Sequence, residues 1–89
     1  MNTYIKDPSA KLDYIFDWSD WLAASETILS AVITAPTGIT AGTGIINSGQ
    51  VLTWITGGTA GTRYIIACKI TTNAERIDER SIIIDCQNR

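Results

Sequence analysis

Two long alternating segments, Arg63 to Thr72 and Ile77 to Cys86, constrain the fold of this chain more than any other feature. In each segment apolar residues fall on every second position, which is the period of a half-buried β-strand. The polar stretch that begins at Asn73 favours a turn between them. The two segments therefore predict an antiparallel hairpin, whose buried face comprises Tyr64, Ile66, Cys68, Ile70, Ile82, Ile84 and Cys86.

Ile65 and Ile83 lie on the opposite, nominally outer face of the same hairpin. A face exposed to water alone would be expected to alternate more cleanly between apolar and polar positions. We therefore predict that this outer face is partly covered by a partner protein.

Length and charge limit the chain to a few classes. Its 89 residues are enough for one domain near the small end of the range. The net charge is −2 and the basic residues are scattered, which argues against nucleic acid as a partner. No apolar segment follows a basic start, and no apolar run approaches the ~20 residues of a membrane span. We expect a soluble protein without a signal peptide or a membrane partner.

The two cysteines are predicted to remain unpaired. With a turn near Glu75, Cys68 would lie opposite Ile82, and Cys86 would lie roughly 13 Å further along the strand, beyond disulfide reach. Both are expected to be small buried side chains in a reducing cytoplasm.

Residues 1–10 form an extended leader with a turn at Asp7, Pro8 and Ser9. The leader contains too little apolar material to fold alone, so it either lies along a neighbouring subunit or frays. Residues 11–89 are predicted to form a single domain.

Further strands are predicted at Lys11–Trp18, Thr27–Ala35 and Gln50–Thr56, with one or two short strands between Thr37 and Ser48. Together with the hairpin this gives about six to seven short strands separated by turn residues. The predicted fold class is all-β, an antiparallel immunoglobulin-like β-sandwich, with a small barrel as the alternative.

The tryptophans allow two interpretations. Trp18 and Trp21 either close one end of the core or form an exposed aromatic platform for a sugar or a protein. Trp54 shares a strand face with Leu52, opposite Val51 and Ile55, and would be a large core residue if that face is buried.

No catalytic chemistry is visible. The absence of histidine removes the usual zinc sites and histidine-based triads. The glycine-rich segment Gly57–Thr62 lacks the Gly-Lys-Ser/Thr ending of a phosphate-binding loop and precedes a strand. Asp13, Asp17 and Asp20 match no calcium loop and are expected to be solvated. We predict a non-enzyme without a metal, a cofactor or a small-molecule substrate.

Two separated groups of residues form recognisable motifs. The first comprises Lys6–Pro8, Ala10, Leu12–Tyr14, Phe16–Leu22 and Glu26–Ile28; the second comprises Gly57–Thr62, Tyr64, Ile70–Thr72 and Asp78–Ile82. Together they resemble a family of small structural proteins of tailed bacteriophages, described as fibre-tail adaptor or head-tail region proteins. The resemblance covers nearly the whole chain and is weakest over residues 35–48.

The resemblance implies an immunoglobulin-like virion protein without activity of its own, assembled in the host cytoplasm and oligomeric in the particle. Its partners would be neck, tail or capsid subunits, and the leading hypothesis is an adaptor in the neck or tail. The alternatives are a capsid decoration protein and a carbohydrate-binding immunoglobulin-like module. The predicted partner-contact residues are Tyr4, Ile5, Lys6, Asp7, Pro8, Gly57, Gly58, Thr59, Gly61, Ile65 and Ile83.

Overall fold

Eight β-strands form the regular secondary structure of the computed structural model, which describes residues 2–88. They are β1 (Asn2–Lys6), β2 (Leu12–Asp17), β3 (Ile28–Thr34), β4 (Ile39–Ala41), β5 (Ile45–Asn47), β6 (Gln50–Gly57), β7 (Arg63–Thr72) and β8 (Ile77–Cys86).

The strands form two sheets around one core. The first sheet has the order β1-β8-β7-β3, and the second has the order β2-β6-β4 with β5 also paired to β6. Apolar residues from the inner faces of both sheets form a shared cluster that includes Phe16, Val51, Ile66 and Ile84. The all-β prediction is confirmed, and the two separate sheets exclude the single barrel. None of the described residues belongs to a helix long and apolar enough to span a membrane.

The predicted hairpin is present with the predicted bounds, as β7 and β8. Every residue expected on its buried face is buried. The register differs from the prediction, because Cys68 lies opposite Arg80 and not Ile82. The turn is centred nearer Ala74 than Glu75: the Thr72 amide donates to the Arg76 carbonyl at 2.9 Å, and Glu75 itself takes a positive φ of 64°.

The strand count and the purely antiparallel pairing were predicted incorrectly. Residues 2–6, placed in the leader, form β1, which pairs in parallel with β8 from Ile82 to Cys86. The segment has a weak apolar pattern, but the exposed edge of β8 supplies its backbone hydrogen-bond partners. The predicted turn follows it, with the Ala10 amide donating to the Asp7 carbonyl at 3.0 Å.

Cys68 and Cys86 are buried and free, as predicted. Cys86 lies six residues beyond the register partner of Cys68 on β8, or about 20 Å at the rise of a strand. Burial raises the pKa of the Cys68 thiol to about 12, with the Glu79 carboxylate adding to the shift. The thiol therefore stays protonated and is unreactive as a nucleophile.

The charged residues of the hairpin tip are largely exposed, but Arg76 is also held by side-chain contacts. The Arg76 guanidinium makes two hydrogen bonds to the Glu26 carboxylate, one from Nε at 2.9 Å, and lies over the Trp21 ring. The Thr72 hydroxyl donates to the same carboxylate at 2.6 Å. The side chain of Glu26 is 3 % exposed. These contacts attach the hairpin tip to the segment between β2 and β3.

The three tryptophans have different environments. Trp18 is fully buried, stacks near Phe16 with a centroid distance of 6.1 Å, and donates from Nε1 to Asp78 at 2.8 Å. Trp21 is half-buried against the core. Trp54 is 42 % exposed on the outer face of β6. Trp18 therefore closes the core, and the interpretation of Trp54 as a core residue is wrong.

Trp18 and Trp54, the most buried and the most exposed of the three tryptophans, should differ in their contribution to stability. Trp18→Ala should lower the free energy of unfolding by about 3–5 kcal/mol, because it empties a closed site in the core. Trp54→Ala should lower it by less than about 2 kcal/mol, because the ring is partly solvated already. Urea denaturation of the two variants tests this. Equal losses would contradict the burial assignment.

Lowering the pH should destabilise the fold through Glu26. Hydrogen bonds from Arg76, and then from Thr72, lower the pKa of Glu26 from 4.5 to about 2. The folded-state pKa is the lower one, so the stabilisation is complete above the unfolded value and is lost as the pH falls towards the folded value. The urea midpoint of the wild type should fall between about pH 5 and pH 2 more steeply than that of Glu26→Gln. Parallel curves would refute this role.

Candidate assembly surfaces

The side chain of Lys6 joins the leader to the glycine-rich loop. Lys6 is fully buried, and its ammonium donates to the Gly57 carbonyl at 2.7 Å and to the Asp7 carbonyl at 2.9 Å. Burying a cation is costly unless it is hydrogen-bonded, so these contacts hold the two segments together. Lys6 is therefore an internal connection in this fold, and its contact with a partner stays a prediction.

The Gly57–Thr62 loop is fixed by hydrogen bonds on three sides. The Gly58 amide donates to Gly38 at 3.1 Å, and the Gly61 amide donates to Cys86 at 2.7 Å. The Thr59 amide donates to the hydroxyl of Tyr64, a core residue, at 2.9 Å. The backbone of the loop is thus held by β8 and the core, while Thr59 and Gly61 are exposed.

Asp7 and Pro8 follow β1 beside this loop, and both are half-buried. We call these two residues together with Gly57, Gly58, Thr59 and Gly61 the end surface. It brings together two predicted contact segments that are separated by some 50 residues in sequence. The Lys6 ammonium joins the two segments through its hydrogen bonds to Asp7 and Gly57.

The remaining apolar contact candidates adjoin on the outer face of the first sheet. Ile65 lies opposite Ile83, and Ile83 lies opposite Thr3 in β1, which places Ile5 diagonally next to Ile83. Ile65 is 56 % exposed, and the Arg63–Asp85 ion pair at 3.7 Å borders the group. We call Ile5, Ile65 and Ile83 the outer patch.

Tyr4 lies on the inner side of β1. It is half-buried, and its ring centroid is 5.1 Å from that of Tyr14 in β2, so the pair connects the open edges of the two sheets. The Tyr14 hydroxyl is buried and has no hydrogen-bond partner within residues 2–88. Burial, with a smaller effect of Cys86, raises the pKa of Tyr14.

A second apolar surface was missed by the sequence analysis. Ile15, Leu52 and Ile45 lie side by side on the outer face of the second sheet, with Ile15 and Ile45 about half exposed. The exposed ring of Trp54 adjoins this row, and Lys11 Nζ is 5.7 Å from its centroid. The alternation of β2 and β6 was visible in the sequence. The outer face of β6 carries Leu52 and Trp54, but that of β2 carries two aspartates beside Ile15, so the sequence did not mark a continuous apolar outer face.

The surfaces described above consist of apolar side chains and backbone hydrogen-bonding groups. Within residues 2–88, no group of three or more His, Cys, Asp or Glu side chains lies together as a metal site would require. The three acidic residues considered in the sequence, Asp13, Asp17 and Asp20, are exposed.

Comparison with known proteins gives one family. The family model described as podophage GP4 fiber-tail adaptor protein gp77 matches residues 6–85. A search of curated proteins finds no significant match. The matched range includes the glycine-rich loop, Ile65 and Ile83, and it leaves out most of β1.

The loop geometry predicts different costs for two glycine substitutions. At Gly58, with φ of 100°, an added Cβ would overlap Cys86 Sγ; at Gly61, with φ of 86°, it would meet nothing within 4 Å. Gly61→Ala should cost about 1–2 kcal/mol from the positive φ alone, and Gly58→Ala about 2–5 kcal/mol. In thermal unfolding, adding Cys86→Ala should reduce the cost of Gly58→Ala. Equal costs for the two glycines would rule out the close contact.

Proposed function

The chain belongs to the podophage fiber-tail adaptor family, and from this premise we propose that it is a non-enzymatic structural protein acting as an adaptor in the neck or tail of the virion. Its partners are other virion proteins, which it joins through non-covalent surfaces. The proposal includes no nucleic-acid, membrane or small-molecule partner, in keeping with the net charge of −2.

The observation that supports this proposal best is the outer patch. Ile65 exposes more than half of its surface, Ile83 lies opposite it in β8, and Ile5 in β1 continues the apolar group beyond Ile83. Contiguous apolar area of this kind on a small domain is typical of an interaction site. The end surface lies at the edge of the same sheet and extends the contact with polar backbone groups.

Several finer features belong to the same proposal. We assign the two-sheet domain to the immunoglobulin-like class, covering residues 11–89 with the leader of residues 1–10 attached through β1. The two free, buried thiols support assembly in the reducing cytoplasm of the host. The chain is oligomeric in the particle, because several copies of a small adaptor are needed to surround a tail.

The carbohydrate-binding alternative has less support. A sugar platform requires an exposed pair of coplanar aromatic rings, whereas Trp18 is fully buried and the Arg76 guanidinium lies 3.9 Å from the Trp21 ring centroid. Trp54 is exposed, but it lies opposite Asp13 and beside the Lys11 ammonium, and within residues 2–88 no second aromatic ring stacks next to it.

Copy number in mature virions tests the function. Quantitative mass spectrometry of purified particles should give a small, ring-sized number of chains per particle. A number commensurate with the capsid lattice would identify a decoration protein instead. Absence from the particle would overturn the virion assignment.

A charge placed in the outer patch should block incorporation. Ile65→Asp should leave the isolated domain folded, since the side chain is mostly solvated, but should lower the number of copies per particle about tenfold or more because the carboxylate would be desolvated in the contact. Ala24→Asp, at an exposed position near the opposite end of the hairpin, is the matched control. Normal incorporation of both variants would remove the outer patch from the interface.

A further inference from the structure

The outer edge of β8 is only partly covered. The backbone amide of Gln87 donates to the Lys6 carbonyl at 2.9 Å, on the side of β8 that faces β1. Backbone groups alternate in direction along a strand, so the odd-numbered residues of β8 all turn theirs away from β7. The pairing with β1 extends from Cys86 back to Ile82. For the preceding residues, no strand within residues 2–88 pairs with this edge, towards which the backbone groups of Ile77 and Glu79 point.

The second sheet has an open edge facing the same space. β2 is the edge strand of that sheet, and the Trp18 amide donates inward to Gly49 at 2.8 Å. The backbone groups of Asp13, Ile15 and Asp17 therefore point away from β6. The carbonyl of Asp17 accepts a hydrogen bond at 2.6 Å from the side chain of Arg80, which reaches across from β8. A side chain thus occupies a position that a neighbouring strand would normally take.

A groove of about 640 Å³ lies between these two edges. Tyr4, Phe16 and Ile82 form an apolar floor, and β2 and β8 form the walls. A strand residue occupies a space of roughly 3.3 by 4.8 by 10 Å, so the groove has room for about four residues of extended chain. Its dimensions and its free backbone groups both match an added β-strand.

We propose that this groove receives an extended segment of another virion protein, which adds to β8 as a strand in line with β1. The inference rests on the adaptor function proposed above and specifies how one partner is held. The segment should present apolar side chains to the floor at alternate positions. Because Asp17 and Glu79 outnumber the single cation Arg80 along the groove, basic residues are favoured at the positions between them.

A second copy of this chain fits the groove poorly. Within residues 2–88 all eight strands are already paired in the two sheets, so donating one would break existing hydrogen bonds. Direct pairing of two β2 edges would also bring the exposed carboxylates of Asp13 and Asp17 close to the same residues of the other copy. The occupant is therefore a different polypeptide.

Proline at position 79 tests the proposal. Glu79 turns its amide outward, so Glu79→Pro removes an edge donor while leaving the β7 ladder intact, and proline is tolerated at such edge positions. Glu79→Ala is the control, since it removes the same carboxylate and keeps the amide. Both variants are introduced into the phage, and copies per purified particle are counted by mass spectrometry. We expect Glu79→Pro to be incorporated about tenfold or more less than Glu79→Ala, because both variants lose the carboxylate and only the proline variant loses the amide donor.

Hydrogen exchange on the wild-type protein gives a second test, which does not depend on whether Glu79→Pro folds. In wild-type particles the outward amides of Ile77, Glu79 and Ser81 should exchange at least about tenfold more slowly than in the free protein. A photo-reactive benzoylphenylalanine in place of Ile77 should cross-link to one defined segment of another virion protein.

The other possible outcomes distinguish a failure of the strand-addition proposal from a failure of the adaptor function. Equal incorporation of the two variants, unchanged exchange, or cross-links to a second copy would overturn the strand-addition proposal and leave the adaptor function standing. Absence of the wild-type chain from particles would overturn both.

Discussion

The ladder between β7 and β8 is the interaction on which the rest of the structure depends. It is the longest pairing in the molecule, it carries β1 on one side and β3 on the other, and its inner face supplies about half of the buried apolar residues. The second sheet is shorter and less regular, and its inner face is buried chiefly against this hairpin. The end surface, the outer patch and the groove all lie on β7 or β8 or directly beside them, so changes that shift the register of this hairpin would move these three features together.

At each end of the hairpin a charged side chain forms hydrogen bonds to another segment of the same chain. At one end Glu26 connects Thr72 and Arg76 to the β2–β3 segment, and at the other end Lys6 connects β1 to the glycine-rich loop. Both charged groups form directional hydrogen bonds, which an apolar side chain in the same place could not form. A small domain with a limited core thus uses directional contacts where a larger protein would rely on additional burial.

The sequence predicted the strands better than their arrangement. Period-two alternation identified β7 and β8 with correct bounds, because one face of each is uniformly apolar and buried. It could not identify β1, whose inward residues are the polar-tipped Tyr4 and Lys6, nor decide that Trp54 faces outward, because both faces of β6 carry apolar residues. Arg76 and Glu26 are 50 residues apart, so only the tertiary fold reveals that they pair.

The parallel pairing of β1 with β8 has a mechanical consequence. Asn2 lies opposite Ile82 and Lys6 lies opposite Cys86, so tension applied between Asn2 and Cys86 acts along both strands in opposite directions. Hydrogen bonds between strands run across the strand axis, so such a load strains all of them at once and does not open them one after another. The interface between β1 and β8 is therefore arranged to resist shear along the strand axis.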